Sequence, residues 1–325
     1  MSTTPPSART PAAVPAPAPD RSPRRGQVRR PGDLVFSGAS LASGLLIMAI
    51  LAGVATFLLV QSLPVLTADP GEVTGEAGFA AYVLPLIVGT VLASVLAMAM
   101  ATPVAVGIAL FVSHYAPRRL GASIGFVIDL LAAVPSVVFG MWGWQVLAPR
   151  LVPAFAWLEA NLGWVPLFAE GSNTGRTIAT ASLVLAVMIL PIITAVSREV
   201  FLQTPRLHEE AALALGATKW EMIRTAVLPF GKPGVIGGTM LGLGRALGET
   251  MAVAIILSTG GFTWNIIGPG NSTIPAEIAL NFPEAAGLRL SELIAAGLVL
   301  FVITLVVNLV ARYIVEKRSE FSGAN

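Results

Sequence analysis

The chain has no cysteine, only two histidines, and charged side chains at just 12 % of its 325 positions. Without cysteine there is no disulfide framework, no thiolate metal site and no cysteine nucleophile. His114 and His208 are far apart in sequence, so no metal site is expected. No G-x-x-x-x-G-K-[ST] run occurs, so the chain carries no phosphate-binding loop of that kind. Nor is there a clustered nucleophile and base, and no catalytic residue is expected. The scarcity of charge, with 55 % hydrophobic residues and a mean hydropathy of +0.78, excludes an ordinary soluble domain and points to an integral membrane protein. A pI near 9.3 could suggest nucleic acid as a partner, but the basic residues flank apolar runs, where membrane orientation accounts for them. No nucleic-acid partner is expected.

What is present sorts into a tail, apolar spans and one eventful loop. Residues 1–33 are rich in Pro, Ala and Arg and lack an apolar run that could serve as a signal-peptide core; they read as a disordered cytoplasmic tail whose arginines can touch anionic lipid. Six stretches reach the roughly 20 apolar residues needed to cross a bilayer as helix. They are Phe36–Val60, Tyr82–Ser113, Ile124–Leu147, Thr177–Val200, Val235–Leu257 and Leu293–Tyr313. Pro85 and Pro103 suggest a broken or tilted second span. The expectation is an all-α membrane protein with six transmembrane helices. It divides into the tail, a first span with its outer loop at 34–81, a core at 82–313 that includes a loop at 201–232, and a C-terminal tail at 314–325. Of the 20 Lys and Arg, all but Arg150, Arg176, Arg289 and the intramembrane Arg245 fall on one side of this arrangement, which puts both termini in the cytoplasm.

The loop between the fourth and fifth spans is dense in helix punctuation. Thr204 can cap a helix that begins with Pro205, the Ala/Leu run 211–215 propagates it, and Gly216 ends it. Thr218-Lys-Trp-Glu221 then has the spacing of a capping box. Helix, glycine elbow, helix is the result. Such an elbow can seat in a partner's groove or lie on lipid as an amphipathic helix, and physics alone leaves both open.

In the fifth span, Gly234, Gly238, Gly242, Ala246, Thr250 and Ala254 recur every four residues, a stripe along which another helix can approach closely. Arg245 and Glu249 border it, one turn apart on a continuous helix, where they can pair. A charge in mid-membrane costs several kcal/mol or more. Two reasons for keeping the pair compete: a structural lock, or a guanidinium that exchanges Glu249 for a transported anion. The planar fork of arginine matches a tetrahedral oxyanion in bidentate fashion, which favours the second.

Glu210, Ala211, Ala212, Gly216, Leu228 and Pro229 resemble, at the family's spacing, the EAA loop of ABC importer permeases, with Ala226 where isoleucine is usual. Gly242–Ala252, Val134-Pro135-Ser136 and Val227–Phe230 running into Gly234 are similar to the PstC-type permease of phosphate ABC importers. The likeness spans Tyr82 to Tyr313. It implies a type I importer permease fold, a coupling helix that docks on a cytoplasmic ATPase, and Arg245 and Glu249 as charges of the translocation path. It also implies a second, PstA-type permease, two ATPase subunits carrying ATP and magnesium, and an external phosphate-binding protein. The function expected is import of inorganic phosphate through a bacterial plasma membrane. The alternatives are another oxyanion such as sulfate, or a self-contained proton-coupled anion carrier in which Glu249 titrates.

The remaining polar positions read as structural: Asp129 as a cap or a partner of Arg118 or Arg119, Ser136 as bonded back to its helix, and Glu277 and Glu284 as a solvated outer face. Trp142, Trp144, Trp157 and Trp164 read as the interfacial aromatic belt of an outer loop.

Overall fold

The computed structural model describes residues 31–75, 77–257 and 263–319. The tail reading for residues 1–30, and that for 320–325, lie outside them. By contacts the chain divides into residues 1–53 and 54–325. In the first unit, residues 35–53 form an exposed apolar helix. Twelve α-helices and no strand occur among the described residues. They are α1 (Pro31–Thr67), α2 (Phe79–Leu110), α3 (Arg118–Ala132), α4 (Ser136–Trp142), α5 (Ala148–Leu162), α6 (Ile178–Leu202), α7 (Arg206–Ala214), α8 (Lys219–Met222), α9 (Leu228–Leu247), α10 (Met251–Ile256), α11 (Ile274–Asn281) and α12 (Leu288–Ser319). Single π turns at Phe111–Tyr115, Gly143–Leu147 and Ile223–Val227 extend α2, join α4 to α5 and join α8 to α9.

Four helical segments are long and apolar enough to cross a membrane: Val35–Thr67, Phe79–Tyr115, Ile178–Leu202 and Leu288–Tyr313. A fifth is available if the bent pair Arg119–Ala132 and Ser136–Leu162 counts as one span. Pro85 and Pro103 do not break α2, which runs through both; in a packed bundle neighbouring helices can accommodate the freed carbonyls. The third expected span instead turns by 92° between α3 and the α4–α5 run. Pro135 forces Val134 out of helical geometry and itself starts α4. Trp142, Trp144 and Trp157 consequently ride on helical segments, with only Trp164 beyond α5, and all four are exposed.

In the unit 54–325, α6 is the central element, packed by α2, α3, α9 and α10. α2 presents Ala93, Ala97, Ala101 and Ala105, one per turn and almost fully buried, to a cluster that includes Val184, Leu185, Met188 and Ile189 of α6. Small side chains at that spacing let two backbones approach closely where lipid supplies no hydrophobic drive between helices. The glycine stripe of α9 does the same on α6. A Cβ at Gly234 would overlap Val200, one at Gly238 would come to 3.0 Å from Val196, and one at Gly242 to 2.9 Å from Ile193. Gly237 and Gly244, on another face of α9, meet nothing.

A polar knot ties the start of α12 to α11 and to the segment before α2. Arg289 at the start of α12 donates to Glu292 (2.7 Å), Glu277 (2.9 Å) and Thr74 (2.9 Å), and Thr74 donates in turn to Glu292. The guanidinium also lies 5.0 Å over the Tyr82 ring. Glu277 is therefore engaged between helices and does not belong to a free solvated face. Asp129, in the last turn of α3, is exposed and makes no ion pair among the described residues.

Candidate functional site

The stripe that seats α9 on α6 carries Arg245 to the last turn of α9, where the helix stops. The Gly248 and Glu249 amides still donate to the Gly244 and Ala246 carbonyls as a closing helical turn, and α10 restarts at Met251. The fifth expected span is thus interrupted, and the pairing expected of Arg245 with Glu249 does not form, because the two are no longer one turn apart on one helix. Glu249 is only 8 % exposed, and its Oε1 accepts the Ala252 amide at 3.2 Å, so its charge rests on the first turn of α10. Arg245 is half-buried, forms no ion pair, and keeps a buried Nε without a hydrogen-bond partner. The guanidinium therefore has no counter-charge among the described residues.

The other end of α10 is held by a residue that sequence reading treated only as an outer-loop cation. Arg176 donates from Nε to the Ile256 carbonyl (3.2 Å) and from Nη2 to that of Leu257 (2.7 Å). These are the orphan carbonyls of a helix C-terminus. A carboxylate at one end and a guanidinium at the other complement the helix dipole, and α10 is packed flat on α4, where Gly140 abuts Ala252. No local pattern in the sequence brings residue 176 to residue 256.

The elbow lies on the far side of α9. α7 starts at Arg206 with Pro205 as its cap residue, and Thr204 does not cap it; its hydroxyl is buried without a partner. Gly216 has φ +88°, a conformation side chains disfavour, and there the Gly216 and Ala217 amides reach back to Leu213 (3.0 Å) and Ala212 (3.2 Å), closing α7. The capping box forms: the Thr218 amide donates to Glu221 Oε2 (2.7 Å) and the Glu221 amide to Thr218 Oγ1 (3.3 Å). Those bonds from Thr218, the backbone one foremost, hold the exposed Glu221 carboxyl below its ordinary value of 4.5.

Ala212 and Leu228 pack inward on a cluster of Ala109, Leu110, Phe201, Met222, Ile223 and Val227, whereas Glu210, Ala211, Gly216 and Pro229 face out. Ala211, Ala212 and Pro229 also border a cavity of about 520 Å³ between α7 and the start of α9. Leu207, Leu215 and Trp220 stand exposed on the elbow.

Residues 101–320 match the family described as binding-protein-dependent transport system inner membrane component. The chain belongs to this family. This permease is similar to the phosphate transport system permease protein PstC 2 of Mycobacterium tuberculosis, with 47 % identity over 88 % of its own length and 92 % of that protein's. It is 38 % identical to the phosphate transport system permease protein PstC of Mesorhizobium japonicum over 94 % and 97 %. Among solved structures, a chain of the inward-facing MetNI methionine ABC transporter superposes with TM-score 0.53 at 14 % identity, covering 72 % of this permease and 95 % of that chain. A bacterial ABC transporter that imports alginate gives 0.53 at 18 %, covering 87 % and 98 %. At those identities the likeness establishes the fold, that of an ABC importer permease within a multi-pass membrane protein.

Proposed function

We propose that the chain is the permease subunit of an ATP-driven importer that moves inorganic phosphate across the plasma membrane into the cytoplasm. Phosphate as cargo is supported by relation, along nearly the full length, to permeases named for phosphate transport. In the structure, the observation that carries the mechanism is the unpaired guanidinium of Arg245 at the interruption between α9 and α10. Arg245 takes the anion in passing. Glu249, already bonded to α10, sets the local field so that the anion does not dwell.

The elbow is the docking piece. Its exposed Glu210, Ala211 and Gly216, with Leu207, Leu215 and Trp220, meet an ATPase subunit, and its inward Ala212 and Leu228 pass the motion to the helix bundle. ATP and magnesium belong to two such ATPase subunits. A second, PstA-type permease completes the path, an external phosphate-binding protein delivers the cargo, and both termini lie in the cytoplasm. No catalytic residue is assigned to this chain.

The test is uptake of labelled phosphate into vesicles holding the permease with its candidate partners and the binding protein. Uptake should require ATP with magnesium and resist excess sulfate. Uptake that proceeds without ATP points to the proton-coupled carrier, and equal competition by sulfate to a broader oxyanion permease.

A further inference from the structure

The elbow is joined to the bundle covalently at both ends, through residues 203–205 to α6 and through α8 and the π turn Ile223–Val227 to α9. A third connection, non-covalent, holds both arms of the elbow from one place. Glu209 of α7 sets its Oε1 3.5 Å from His114 Nε2. Lys219, the first residue of α8, holds its ammonium 4.7 Å over the Tyr115 ring. His114 and Tyr115 are neighbours in the π turn that ends α2. The imidazole is nearly sealed, with its side chain 7 % exposed, and its Nδ1 lies 2.7 Å from Ser113 Oγ, which bonds back to the Ala109 carbonyl (2.8 Å). The ring is thus fixed to α2 on one side and aimed at α7 on the other. Beneath these polar pins, Ala109 and Leu110 of α2 share a buried cluster with Met222, Ile223 and Val227.

We infer that the π turn Phe111–Tyr115 is a further transmission point, with His114 as a positioning residue that makes α2 move together with the elbow. The inference rests on the coupling role proposed above and adds a route to it. A widened helical turn at a junction is a frequent mark of a site under functional constraint. Here it presents two consecutive side chains to two different helices. Force on the elbow then reaches α6 not only along the chain but also laterally, through the alanine stripe of α2 and the glycine stripe of α9. Without the pins, α7 can swing while α2 stays behind.

The absence of native cysteine in the chain allows a direct test. His114→Cys and Glu209→Cys are introduced together, and the permease is reconstituted with its partners and the binding protein. Before cross-linking, phosphate moved per ATP hydrolysed should fall roughly fivefold or more while ATP hydrolysis persists, as expected when a coupling free energy of allosteric size is lost. Bridging the two thiols with a short bifunctional reagent should restore the ratio. His114→Gln, which keeps a donor toward Glu209, should stay coupled.

Full coupling before cross-linking, or a bridge that blocks transport or fails to restore it, overturns the inference. The unsubstituted complex in parallel separates the two readings. If it shows no ATP-driven uptake, the importer assignment fails and this route with it; if it transports normally beside an insensitive double variant, only this route fails.

Discussion

Arg245 gains its character from what the neighbouring backbone does. Had α9 continued, Glu249 would lie one turn on, within pairing reach; the break at Gly248–Thr250 gives the carboxylate to α10 and leaves the guanidinium without an ion pair. Charge-assisted hydrogen bonds are worth about 1.5–3 kcal/mol, so Arg245→Gln should cut phosphate uptake roughly 10- to 100-fold while the complex still assembles. Arg245→Lys should recover little, since a point charge lacks the fork. Unimpaired uptake by the Gln variant would remove Arg245 from the path.

The glycines of α9 make a second, independent expectation. Gly234→Ala puts a methyl into Val200 and should cost about 1–3 kcal/mol by overpacking, read as a lower unfolding temperature in detergent. Gly237→Ala meets open space and should hold or raise it, because alanine favours helix by about 1 kcal/mol.

The elbow was legible in sequence because its signals are local. Gly216, Thr218 and Glu221 act on backbone within three or four residues, and each does what its spacing requires. Gly216→Val forces a branched side chain to φ +88°, at a cost of about 1–2 kcal/mol, and should leave ATP hydrolysis poorly coupled to uptake. The capping box also has an acid limit. With its carboxyl held below 4.5, Glu221 steadies the start of α8 above that value, and the support is lost as pH falls through the lowered one. Binding-protein-stimulated ATP hydrolysis in Thr218→Ala should accordingly lose the part of its acid sensitivity that comes from this bond.

The interruption at Gly248–Thr250 was not legible, since positions 242, 245, 246, 249 and 250 fit one helical face and glycine is common in membrane helices. What decides it is remote: α4 packed along α10, and Arg176 closing its end from 80 residues away. Thr204 was misread for the converse reason. Its local pattern suits a cap, but the chain buries it at the end of α6, one residue before the helix start is set.

Charge predicts six crossings, where length and apolarity give four candidates, or five if the bent pair is one span. The elbow carries Arg206, Lys219, Arg224 and Lys232, the signature of a cytoplasmic loop, and α12 ends with Arg312. Both places can share one side only if the chain crosses an even number of times between them. With α12 as one crossing, α9 with α10 is predicted to supply the other, as an interrupted span whose glycines and charges face protein or a conduit. On that prediction the knot of Arg289, Glu277, Glu292 and Thr74 sits opposite the elbow, tying α12 to α11 and to the segment before α2. Single cysteines test this in a chain that has none of its own. A membrane-impermeant maleimide applied to intact cells should label Glu72→Cys and Glu284→Cys, and should reach Thr218→Cys and Arg312→Cys only after permeabilisation. Labelling of Glu284→Cys and Thr218→Cys from the same side would mean that α9 and α10 form a re-entrant hairpin, and Arg245 would then open to one face of the membrane alone.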